Sequence, residues 1–149
     1  MPMVSRVRRH LSFVHVSNSP NSERDTCARS LVEGLVASRV HPEALDVDPN
    51  GYSLIINDRD ESAFVAALAG GRDVITLRGH CARVALTRAA TDWPLPSLER
   101  LLPAIAAEGI DIVHLSGDAA SMTIVVDEHD ADRVVSLLTC YYRRPSAVA

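Results

Sequence analysis

The sequence predicts an α+β fold made of two βαββα units in tandem, each an antiparallel sheet with helices on one face. Three observations lead there. Leu95 to Leu138 reads as helix, Gly-led apolar strand, turn, second apolar strand and helix. The same order recurs, more blurred, about 70 residues earlier. With 149 residues and 47% hydrophobic content, the chain is one ordinary domain or two very small ones packed together.

The repeat can be followed residue by residue. At an offset of about 70, Val14 meets Val84, Val16 meets Leu86, and Ser17 meets Thr87. Leu31 and Val32 meet Leu101 and Leu102, Leu35 meets Ile105, Val40 meets Ile110, and Leu45 meets Leu115. One residue less brings Ile55 onto Ile124, Asp58 onto Asp127 and Leu68 onto Leu137. A single unit has too little sheet to bury both its helices, so the pair is expected to share a core or a continuous sheet.

Taken in order, Val4 and Val7 among Ser5, Arg6, Arg8 and Arg9 form a weak strand with a basic flank. Leu11 to Val16 is a stronger one, closed by the turn-rich Ser17 to Ser22. The following helix spaces Ala28, Leu31, Val32, Leu35 and Val36 as one buried stripe, with Gly34 permitting a close neighbour. Pro42 makes the strand expected over Arg39 to Val47 an edge, a bulge or only partly paired, because proline has no N–H to donate. Asp48 to Gly51 is a turn and Tyr52 to Ile56 a strand. Asp58, with Glu61 three residues on, begins a helix carrying Phe64, Ala67 and Leu68, which Gly70-Gly71 ends.

The second half opens with strands at Val74 to Gly79 and Arg83 to Thr87. Its first helix carries Leu98, Leu101, Leu102 and Ile105 on one face, with Pro103 inside the pattern predicting a kink or a late start. Ile110 to Ser116 and Met122 to Val126 are paired strands about a turn at Gly117-Asp118. Asp127 caps the last helix, with Ala131, Val134, Val135 and Leu138 inward.

Composition narrows the function classes. A formal charge of -4 opposes bulk attraction to nucleic acid or acidic membranes. All fifteen basic residues are Arg, which excludes a Schiff-base or phosphate-binding lysine. The three cysteines form no CxxC pair, so free thiols in a reducing, cytoplasmic setting fit best. No apolar run approaches the roughly 20 residues of a membrane span. The six histidines show no metal-ligand spacing, no nucleophile sits in a GxSxG-like elbow, and no Gly-rich stretch leads into GKS. No metal, cofactor or catalytic residue is therefore expected. Arg6, Arg8 and Arg9 read as charge protecting a strand edge, and Asp127, Glu128 and Asp130 as cap and first-turn acids.

The motif AAEGIDIVHLS followed by MTIVVDEHDADRVVSLL resembles the ACT-domain pair of aspartate kinase regulatory regions. The resemblance is most specific over Arg100 to Leu138 and architectural over Leu11 to Leu68. It implies ferredoxin-like units over residues 8–78 and 79–142, with strand 3–7 completing the second sheet and 143–149 as a tail. No kinase catalytic domain is present, so the resemblance implies a non-catalytic regulatory module. Such modules bind a small amino acid of the lysine or threonine class between ACT units and signal to a partner enzyme of amino acid biosynthesis, commonly as homodimers.

The ligand residues so implied are Asn18, Ser19, Asn21, Ser22, Arg24, Asp25 and Thr26 around the start of the first helix. Val40, His41 and Glu43 are expected beside that loop. The helix N-terminus suits a carboxylate. The sequence departs from the family pattern where Thr26 replaces a glycine, Leu95-Pro96 a Pro-Gly, Arg39 an asparagine and Val47 a polar residue. These departures support the alternative of a degenerate pair that serves as a dimerisation or interaction scaffold without ligand.

Overall fold

A computed structural model of the chain describes residues 3–17, 24–68, 73–87, 95–117 and 121–143. The elements run β1 (Met3–Ser17), α1 (Arg24–Ser38), β2 (Ala44–Asp48), β3 (Gly51–Asn57), α2 (Glu61–Leu68) and β4 (Val74–Thr87), then α3 (Leu95–Ala107), β5 (Ile112–Gly117), β6 (Ser121–Asp127) and α4 (Ala131–Arg143). One-turn 3₁₀ segments, Asp58–Asp60 and Glu128–Asp130, lead into α2 and α4. The class is α+β, as the sequence predicts.

The chain divides into two units. One is His10–His80; the other joins Met1–Arg9 to Cys81–Ala149. In His10–His80 the strands lie in the order β2-β3-β1-β4. β3 is antiparallel to β1, with Phe13 opposite Ile55 and Ser17 opposite Gly51, and to β2, with Ala44 opposite Ile55 and Asp48 opposite Gly51. Val14, Val16, Leu54 and Ile56 from the strands pack with Cys27 and Leu31 of α1 and Phe64 and Leu68 of α2. In the other unit the order is β1-β4-β6-β5. There Val84, Leu86, Ile124 and Val126 pack with Leu101 and Ile105 of α3 and Val134 and Leu138 of α4. Each unit is thus a four-stranded ferredoxin-like sheet, its helices packed on the same core residues of the strands. Each has its own core, and what the units share is the two long strands β1 and β4.

Three local expectations are corrected. The weak and strong N-terminal strands are one strand, Met3–Ser17, and Val74–Gly79 and Arg83–Thr87 are likewise one. At the joins His10 (φ 60) and His80 (φ 54) stay within the strand in a left-handed conformation that gives no compositional signal. β2 is an edge strand, as Pro42 leads one to expect, and is paired only from Ala44, because a residue without N–H cannot continue the ladder. The repeat offset stays at 70 throughout: Leu54, Ile56, Phe64 and Leu68 match Ile124, Val126, Val134 and Leu138 in the two cores. On α1, Leu31 is buried, whereas Val32 and Val36 are 59% and 72% exposed, so the stripe centres on Cys27 and Leu31.

Helix ends differ between the halves. Asp127 caps its segment by accepting from the His129 N–H at 2.9 Å. Asn57 occupies the matching place and makes no side-chain cap bond. Glu61 turns instead to the buried Ser12, whose hydroxyl donates to Glu61 Oε2 at 2.6 Å. Pro103 lies inside α3, which already begins at Leu95, so the late start considered for this helix is not found. Gly34 does admit a close neighbour: a Cβ there would sit 2.7 Å from Leu68 Cδ2. The expected helix end at Gly70-Gly71 lies outside the described residues.

Candidate functional site

The register of the sheet in His10–His80 decides what can gather around the loop between β1 and α1. Asn18, Ser19, Asn21 and Ser22 lie outside the described residues. Arg24 and Asp25 open α1, and Thr26, also in its first turn, is exposed. Ser17 ends β1 opposite Gly51, which pairs with Asp48 at the end of β2. This end of the sheet therefore collects the last residues of β1 and β2 and the first residues of α1 and β4.

Polar contacts concentrate at that end. His15 Nε2 lies 3.1 Å from Asp48 Oδ2, and Asp48 Oδ1 accepts the Asn50 N–H at 2.7 Å. Partial burial works to raise the Asp48 carboxyl; the Asn50 N–H, the His15 ring and the Gly51 N–H outweigh it and hold the group below its usual range. The Ser17 hydroxyl donates to the Val74 carbonyl at 3.2 Å. Cys27 of α1 is fully buried, and burial, the Asp73 charge and a hydrogen bond to Asp73 push its thiol up to about 11. A neutral thiol of that kind is a packing group and a poor nucleophile. The start of α1, which suits an anion, thus has the Asp73 carboxylate nearby, whereas the His15–Asp48 pair lies on the face of the sheet away from Val14, Val16 and the helices.

His41 and Glu43 are elsewhere. They follow the C-terminal end of α1, and a 15-residue helix carries the chain about 21 Å from its start. The register agrees: the Glu43 N–H donates to the Ile55 carbonyl at 2.7 Å, next to Ala44 and level with Phe13. Phe13 stands four residues from Ser17, or about 13 Å along the strand. His41 is exposed, Glu43 half-buried, and the Val40 side chain is 4% exposed within the core. Val40 offers only its backbone to a ligand. Among the described residues, those implied by the resemblance thus fall into two groups at opposite ends of α1. His15 and Asp48 meet because the turn Asp48 to Gly51 fixes the β2–β3 register and sets Asp48 at the sheet end.

The altered family positions have physical consequences. Arg39, just past the end of α1, holds a left-handed conformation (φ 57) where Gly or Asn is favoured, and Gly109 holds the matching place after α3 (φ 72). Val47 is 60% exposed on the edge strand β2. Among the described residues, no three His, Cys, Asp or Glu gather as metal ligands, and no helix is long and apolar enough to cross a membrane.

No protein-family model matches the chain, and no curated protein matches it in sequence. Solved structures do match. The regulatory subunit of aspartate kinase from Thermus flavus has a TM-score of 0.75 at 12% identity, over 95% of this chain and 99% of that one. Aspartate kinase of Clostridium acetobutylicum has a TM-score of 0.75 at 14% identity, over 95% of this chain and 35% of that one. E. coli aspartokinase III, in complex with lysine and aspartate, has 0.68 at 14% identity, over 95% of this chain and 34% of that one. The chain spans about a third of these kinases and nearly all of the separate regulatory subunit. At such identities the likeness is one of fold: this chain has the tandem ACT fold of aspartate kinase regulatory domains.

Proposed function

We propose that the chain is a non-catalytic regulatory module of the aspartate kinase type, acting in the cytoplasm, that binds a small amino acid and signals to a partner enzyme. The observation that carries this reading is the fold match to the regulatory subunit of aspartate kinase from Thermus flavus, with a TM-score of 0.75 over 95% of this chain. The effector is of the lysine or threonine class. A lysine complex of a kinase with this fold supports it, and so does the Asp73 carboxylate near the start of α1.

The effector site lies between ACT units of two copies. Arg24 to Thr26 and His41 to Glu43 are separated by the length of α1, too far for one small amino acid to touch both in one chain. A second copy related by a two-fold axis perpendicular to α1 reverses the direction of that helix and can set residues 40–43 of one copy beside the helix start of the other. Ligand binding then favours one arrangement of the dimer, which is the requirement for a signal.

A thermal-shift screen against the twenty amino acids, with light scattering of the same sample, tests the reading. An effector at about 100 times its Kd stabilises by about 2.7 kcal/mol, a rise of several degrees for a chain of this size. A dimer is expected. The absence of any shift would remove the effector reading, and a monomer at high concentration would remove the two-copy site. The second reading, a scaffold without ligand, is favoured by Thr26 at the helix start and by the exposed Val32, Val36, Leu45 and Val47 on α1 and β2. It predicts a stable dimer that no amino acid shifts.

A further inference from the structure

We draw no further inference here: the strongest candidate, the apolar surface of Val32 and Val36 on α1 and Leu45 and Val47 on the edge strand β2, has nothing in the structure to show what covers it.

Discussion

Arg39 and Gly109 meet the same backbone demand with different residues. A side chain in the left-handed region costs roughly 1–2 kcal/mol, and glycine avoids this while losing about 0.5–1 kcal/mol of extra chain entropy. Arg39→Gly is therefore expected to stabilise the protein by about 0.5–1 kcal/mol in urea unfolding. Gly109→Ala should cost about 1 kcal/mol although nothing lies within 4 Å of its added Cβ, because the whole cost is conformational. Equal, small effects of both changes would show that neither position holds its left-handed geometry in solution.

Cys27 sets a limit at high pH. Its thiol rises from 9.0 to about 11 in the folded state, so the unfolded chain loses this proton first. Between those values the folded state binds more protons, and stability must fall as pH rises. The contribution is complete below pH 9 and declines by up to about 1.4 kcal/mol per pH unit toward 11. Unfolding followed from pH 8 to 11 should show this decline in the parent and lose it in Cys27→Ala. A decline of the same slope in both proteins would place its origin elsewhere.

At the scale of elements, the two halves solve one packing problem in two ways. Where His10–His80 sets Ser12 against Glu61, the other unit has Ala82 and Ala131, both fully buried. Gly79 leaves the room that Glu61 takes: a Cβ there would sit 3.3 Å from Glu61 Oε2. On the strand segment that matches it, Arg9 donates to Asp132 Oδ1 at 2.6 Å and to the Glu128 carbonyl at 3.3 Å. Glu61→Ala should cost about 1–3 kcal/mol, because it leaves a buried hydroxyl without its acceptor. Ser12→Ala combined with Glu61→Ala should recover much of that loss, since the pair then matches the all-alanine solution of the other unit. A double variant no more stable than Glu61→Ala alone would count against this account.

Strand and helix identities were legible because apolar spacing and turn residues act locally. The inward residues of α4 and the repeat pairs Val14 with Val84 and Leu31 with Leu101 were read correctly from period alone. The outward turn of Val32 and Val36 was not, because five apolar residues on α1 cannot say which two lie beyond the edge of the sheet. The continuity of β1 through Arg8, Arg9 and His10 was hidden because charged residues on an exposed edge do not alternate in hydropathy. The candidate site was legible only as the start of α1. Which residues reach the sheet end depends on register, and that is fixed between strands far apart in sequence.

For the molecule as a whole, β1 and β4 are the decisive elements. Each contributes one part to each unit: β1 divides between Arg9 and His10, and β4 between His80 and Cys81. The first residues of the chain thus complete a sheet whose other strands come after residue 80. Deleting residues 1–9 is expected to weaken Cys81–Ala149 far more than His10–His80. Hydrogen exchange should show it as lost protection in β4 over Cys81–Thr87, with β3 little changed. Equal losses in β3 and β6 would mean that the strand serves both units alike.

The same arrangement gives an order to the protein's synthesis. His10–His80 is contiguous and can fold once residue 80 has left the ribosome. Met3–Arg9 emerges before His10–His80 yet must wait for β4, β6 and α4, a delay on the order of 10 seconds at about 5–20 residues per second. For that interval it is a strand without its sheet, the state most prone to pair with a wrong neighbour. Arg6, Arg8 and Arg9 place charge on that waiting segment, so their value to the protein includes the time before it is folded.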